Sequence, residues 1–241
     1  MRKVTWLCAV LALLFGCQSG STPPNTKPAQ PGASTPAPEA TAGLVPLGLE
    51  LPRPVFIGTP PKPPQGTNLE PKRDGPRPPL MVPRGIANVA AGKPVTCSDR
   101  EPMVGEAQMV TDGDKEAGGG SYMELAPGLQ YAQVDLGAPC EVFAVAFWLY
   151  HGEARVWHDV VVQVADDGDF ISNVKTLFNN DHDNSSGLGL GSDYEFYETY
   201  QGKLIPAGGV KARYVRVYTK GNTTDEMNRF TEIEVHGRPA K

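Results

Sequence analysis

Val142-Phe-Ala-Val-Ala-Phe-Trp-Leu-Tyr150 is the stretch on which the fold turns. It carries no charge and is rich in β-branched and aromatic side chains, the composition of a pleated strand. Phe143, Val145, Phe147 and Leu149 fall on one side and Ala144, Ala146 and Trp148 on the other, so the stretch predicts a central strand buried on both faces. It is too short to cross a bilayer as a helix. Just upstream, Tyr131-Ala-Gln-Val-Asp-Leu136 alternates polar and apolar before a Gly-Ala-Pro turn, which predicts a half-buried strand with Val134 and Leu136 inward. Residues 160–165, 212–218 and 230–235 supply further β-branched strands, separated by Gly, Asn and Asp clusters, and no stretch shows a strong helical period. The expectation is all-β: an antiparallel β-sandwich.

Proline marks where that sandwich starts. Of 24 prolines in 241 residues, 18 lie in 18–84, among Ser, Thr, Ala and Gly, whereas only six follow. Such a stretch cannot bury enough apolar surface to offset its own ordering entropy, so 18–84 is expected to be a disordered Pro-rich tether, extended where polyproline conformation holds. Leu44-Val45-Pro46-Leu47 and Pro54-Val55-Phe56-Ile57 interrupt it with apolar quartets. Two readings stand for these: docking onto the domain surface, or plain linker. Residues 85–241 are enough for a single core.

Arg2 and Lys3 precede an apolar run over 4–15, the pattern of a signal peptide. Leu14-Phe15-Gly16-Cys17 resembles the lipobox of bacterial lipoproteins, although Phe15 is bulkier than that pattern usually holds. The resemblance implies a leader over 1–17, lipidation of Cys17 and attachment to a membrane through the lipid alone, which is stable with two or more acyl chains. An ordinary secretory signal cut nearby is the other reading. Gln18 stands where the family's sorting rule would place an aspartate to retain the protein at the inner membrane. The expected location is the bacterial cell envelope, at the outer membrane or cell surface.

Charge limits the partners. Residues 85–241 hold 13 Lys and Arg against 23 Asp and Glu, a net of -10, so the domain repels phosphate backbones and anionic lipid. No nucleic-acid partner is expected. With Cys8 and Cys17 assigned to the leader and the anchor, Cys97 and Cys140 remain as a pair in an oxidising compartment, and a disulfide between them is expected.

Five segments carry a family resemblance: Asn88-Val-Ala-Ala-Gly-Lys-Pro-Val-Thr96, Val110-Thr-Asp-Gly-Asp114, Gln133-Val-Asp-Leu-Gly137, Ala212-Arg-Tyr-Val-Arg216 and Glu232-Ile-Glu-Val-His-Gly237. In this order they resemble a discoidin domain, the coagulation factor 5/8 C-type domain, whose bacterial members overlap the family 32 carbohydrate-binding modules. The resemblance implies a galactose-binding-like, eight-stranded jelly-roll sandwich that binds and does not catalyse. It also implies a structural Ca2+ held by Asp112, Asp114 and Glu232 with nearby backbone carbonyls. Ala117 stands where the family has a hydroxyl ligand. The residues alone allow a second reading, in which Asp112 and Asp114 are turn aspartates bonding their own backbone.

The candidate ligand site is the aromatic and His-rich turn after the central strand, Tyr150, His151, Arg155, Trp157 and His158, completed by Asn222, Asn228 and Arg229 before the last strand. An aromatic face for the apolar side of a pyranose, flanked by donors and acceptors, is what sugar recognition needs. The competing reading has Trp157 and Tyr150 capping the core. Residues 179–191 form a long polar loop in which Asp181, His182 and Asp183 could approach a metal, but adjacent residues seldom converge on one ion, so a self-bonded or cleft-shaping loop is expected there. No Gly-x-Ser-x-Gly elbow is present, and Asp166-Asp167 lies in a strand-ending turn, so no catalytic residues are assigned. The reading is a surface-tethered, non-catalytic binding module, for carbohydrate first and for an envelope protein partner as the alternative.

Overall fold

The computed structural model describes residues 43–55, 68–71 and 75–241. The leader, Cys17 and the first part of the tether lie outside the described residues, as do Phe56 and Ile57. The described residues form ten strands: β1 (Leu44–Pro46), β2 (Met81–Pro83), β3 (Ala87–Asn88), β4 (Val95–Cys97), β5 (Met123–Leu125), β6 (Gln130–Leu149), β7 (Val161–Ala165), β8 (Lys175–Asn179), β9 (Lys203–Thr219) and β10 (Asn228–Pro239). The described residues hold one short 3-10 turn, Ala107–Thr111, and no helix long and apolar enough to cross a membrane.

The chain is an antiparallel β-sandwich, and β6 builds both of its layers. Its first part pairs with β4 and with the end of β9, which continues to β7 and β8. Its second part pairs with the start of β9 and with β10, which carries β3 and β5. The two stretches read as separate strands are thus one strand of 20 residues, bent where the β6–β9 register slips between Asp135 and Cys140. Gly137 supplies the bend with φ +83°, and its amide donates to Asp135 Oδ1 at 2.8 Å. β8 was not legible as a strand: its Lys-Thr-Leu-Phe-Asn sequence is half polar because β8 lies at the sheet edge.

Val134, Leu136, Val145, Phe147, Leu149, Val162, Val164, Val215, Val217, Ile233 and Val235 interdigitate between the layers. Alternate residues of the central strand, Ala144, Ala146 and Trp148, are also buried, as expected for a strand covered on both sides. Part of that cover comes from the tether. β1 pairs with β2 from Leu44↔Pro83 to Pro46↔Met81, and this hairpin lines a groove together with Glu234 and His236 of β10. Leu69 bridges to Glu195, Lys203 Nζ donates to Glu70 Oε2 at 2.9 Å, and Arg77 donates to the Gln201 carbonyl at 2.9 Å and to that of Gly202. Of the two readings of Leu44-Val45-Pro46-Leu47, docking is the one observed.

The expected disulfide is absent. Cys97 and Cys140 are both free thiols, each donating to a local carbonyl, Asp99 O at 2.9 Å and Ala138 O at 3.5 Å. Cys97 lies opposite Ala132 of β6, whereas Cys140 belongs to β6 itself beyond the bend and faces Ala212. The register, which sequence spacing does not reveal, sets Cys97 beside the first part of β6 and Cys140 beyond its bend.

Candidate functional site

One end of the sandwich is formed where β6 ends, β5 lies and β10 begins. The loop after β6 is pinned there by backbone: Tyr150 N donates to Arg229 O at 3.2 Å, Val156 bridges to Tyr197 and Trp157 to Asn222. Asn228 is fully buried and uses its whole amide as a pin. Its Oδ1 accepts from Thr219 Oγ1 at 2.7 Å and Gly221 N at 2.8 Å, and its Nδ2 donates to Ala126 O at 2.7 Å and Gly128 O at 3.1 Å. The Asn222 side chain closes the 222–227 turn, accepting from Thr224 N and donating to Met227 O and Asp225 Oδ1.

On this frame sits a charged cluster in which Arg155, Arg229 and Glu124 are largely buried and Glu153 and Asp225 form the exposed rim. Arg155 donates to Glu153 at 2.8 Å and to Asp225 at 3.2 Å, with its guanidinium 5.0 Å from the Tyr150 ring centroid. Arg229 donates to Asp225 at 2.9 Å and to Glu124. Burial pushes the Asp225 carboxyl up, but bonds from Asn222 and Arg229 outweigh it and hold the group below its ordinary range. Tyr122 meets Tyr150 edge-on at 5.1 Å. A Cβ on Gly152 would come within 2.4 Å of the Tyr150 hydroxyl, so only glycine lets this loop lie against the ring.

The structure brings Tyr150, Arg155, Asn222 and Arg229 near one another, with Arg155 and Asn222 themselves buried, and places the other assigned residues elsewhere. Trp157 is fully buried in the core cluster, so its ring offers no face to a ligand. His151 is also fully buried, with Nε2 on Lys115 O at 2.8 Å, and burial lowers its pKa. It ties the end loop to the 112–116 loop and does not face solvent. Asn228 is the pin described above. His158 turns away, 3.6 Å from Glu195. Glu153, Asp225, Glu124 and Tyr122 were missed. Asp225 and Arg229 at i, i+4 was the available signal, but nothing local marks Glu124, which arrives from β5.

The calcium ligand set is partly assembled. Asp112 Oδ1 accepts from Asp114 N at 2.8 Å and Asp114 Oδ1 from Glu116 N at 2.9 Å, the turn bonding of the alternative reading. Glu232, 1 % exposed, reaches the same loop and accepts from Gly113 N at 3.2 Å. Burial pushes the Glu232 carboxyl up to about 8, with Glu234 and Asp112 adding repulsion. A desolvated carboxylate beside other carboxylates is what a divalent cation would stabilise, so the residues fit the ion. Elsewhere, carboxylate oxygens of Asp159, Asp181 and Asp183 lie within 4.8 Å of one another. His182 is not part of this group. Its Nε2 contacts Asp193 O at 2.8 Å.

No protein-family profile matches the chain, and no curated protein matches it. Solved structures are similar to it. Chitosan-binding module 1 of a chitosanase/glucanase from Paenibacillus sp. IK-5 is 24 % identical over 63 % of this chain and 99 % of that one, with a TM-score of 0.43. CpGH89CBM32-4 from Clostridium perfringens is 16 % identical over 64 % of this chain and 96 % of that one, with a TM-score of 0.46. A polypeptide of AlyQ with CBM32 and alginate lyase domains is 19 % identical over 61 % of this chain, which spans only 32 % of it, with a TM-score of 0.45. The likeness stops at the fold. It assigns no ligand to this chain.

Proposed function

We propose that the chain is a tethered binding module that holds a carbohydrate on the end patch of Tyr150, Arg155, Asp225 and Arg229, braced by Ca2+ between Asp112 and Glu232. The observation that carries this reading is the patch itself. A tyrosine ring, two guanidinium groups and three carboxylates share one end of the sandwich, where donors and acceptors alternate around an aromatic edge as hydroxyls require. The five ordered segments support the same reading. No nucleophile or acid–base pair is assigned, and the proposed role is binding without turnover. Asp112, Asp114 and Glu232 would hold the ion, which would supply positive charge to the 112–116 loop. His151 then transmits the order of that loop to the end patch through Lys115 O.

The lipid anchor at Cys17 and the envelope location belong to this proposal. The test is a glycan array probed with the chain in calcium and in chelator. Sugar-competable binding that Asp225→Asn removes in a chain that still melts cooperatively supports the reading. A protein complex that free sugar does not dissolve would replace it with the envelope-partner reading.

A further inference from the structure

The loop after β6 and the 112–116 loop meet at one buried ring. His151 is 0 % exposed, although Tyr150 before it and Gly152 after it are not buried. Its Nε2 lies 2.8 Å from the Lys115 carbonyl, which can only accept, so Nε2 carries the proton and the ring is the neutral tautomer with a lone pair at Nδ1. Nδ1 is buried too and has no hydrogen-bond partner among the described residues. Burial holds the ring below its ordinary pKa, against the Lys115 carbonyl, Glu116 and the residue's own backbone, which favour the imidazolium. The other charges nearby are already engaged. Lys115 Nζ donates to Glu234 at 2.7 Å, Glu116 lies 3.5 Å from Arg53 of the tether, Glu153 is held by Arg155, and Arg229 by Asp225 and Glu124.

We infer that His151 is an acid-sensitive joint: a proton on Nδ1 parts the loop after β6 from the 112–116 loop and so loosens the end of the sandwich as the surroundings turn acid. That proton puts a donor where no acceptor is aligned and a full charge where water is excluded. Both costs are relieved when the ring swings out to solvent, and the swing breaks the Nε2 bond to Lys115. The ring binds its second proton less tightly closed than open, so the closed joint is fully stabilised above the ordinary histidine value of 6.5 and loses that stabilisation as pH falls toward the lower value of the buried ring. Glu232 and Glu198, both pushed up to about 8, keep their protons throughout that range, so the response belongs to the histidine. Tyr150 lends its ring to the end patch, and weaker sugar binding in acid follows if the function proposed above holds. The joint itself is read without any ligand.

The test follows the full chain in chelator by NMR from about pH 7 to about pH 5, reading the imidazole nitrogens together with amide exchange at Lys115, Glu116 and Gly152. At the upper end the His151 ring should hold the Nε2–H form. Below 6.5, exchange at the three amides, corrected for its intrinsic pH dependence, should rise by about tenfold per pH unit until the buried ring titrates. His151→Gln keeps a donor for the Lys115 carbonyl and cannot take the proton, so its exchange should not respond to pH. Glu116 is half-exposed, and Glu116→Gln should move the ring's transition to lower pH. The ring titration and Glu116→Gln decide the matter even where His151→Gln does not fold. A ring that protonates while the three amides stay protected would overturn the inference, as would exchange that rises equally in His151→Gln or a transition that Glu116→Gln leaves unmoved.

Discussion

Two acidic clusters, Asp112 with Glu232 and Asp159 with Asp181 and Asp183, look alike in composition and differ in how their charge is met. In the second, the loop turns its own donors inward. Asp181 accepts from Ser185 N at 3.0 Å and Ser186 N at 2.8 Å, Asp183 from Ser185 N at 2.9 Å, and Lys220 stands 3.7 Å from Asp159. Burial pushes Asp181 up, yet these bonds leave it below its ordinary range. In the first cluster the buried Glu232 accepts one amide and faces two other carboxylates, and its pKa rises to about 8. A carboxylate cluster thus announces a cation by the donors it lacks, not by the number of its acids.

The largest expected effect is on pH dependence. Glu232 and Glu198 are both buried with pKa pushed up to about 8, in each case by burial first. Each binds its proton more tightly folded than unfolded. Their contribution is fully present below the ordinary carboxylate range, near pH 4.5, and is lost as pH rises toward 8. In chelator, stability should therefore fall by an amount on the order of a few kcal/mol between pH 5 and pH 8, measured by denaturant melts. Glu198→Gln should remove one part of that fall and Glu232→Gln the other. A flat profile would mean that neither group is protonated in the fold.

Calcium sharpens the contrast. At a hundredfold excess over its Kd it should add about 2.7 kcal/mol, seen as a higher melting temperature at pH 7.5, and Glu232→Gln should abolish the gain. Asp181→Asn should leave the calcium response intact. If the response instead follows Asp181, the two clusters have been assigned the wrong way round.

A smaller effect is expected from Asp181→Asn itself, about 1–2 kcal/mol of destabilisation, because an amide retains one acceptor for the Ser185 and Ser186 amides but loses the charge. The smallest is none. Reductant should not change the melting temperature, since Cys97 and Cys140 are free, and a drop of several degrees would restore the disulfide.

Much of the fold could be read locally. Period-two alternation located the strands that carry the core, because a half-buried strand must alternate whatever its neighbours are. The bend that joins residues 131–136 to 142–149 in one strand could not be read, since it is defined by the register of β6 against β9. At the site, Tyr150, Arg155, Asn222 and Arg229 were found because one turn and one loop hold them. Trp157, His151 and Asn228 were chosen as ligand contacts for the same chemistry that buried them. An indole, an imidazole and an amide serve a sugar or a protein interior equally well, and burial alone separates the two uses.

The sequence by itself determined the class of fold and the sign of the charge over 85–241, because composition and periodicity act on each residue through its neighbours in the chain. Only the tertiary structure decided which polar groups are exposed, which acids share a cluster, where the cysteines lie and that part of the tether is docked. Those outcomes depend on distances between residues far apart in sequence, and a distance of that kind exists only once the strands have chosen their register.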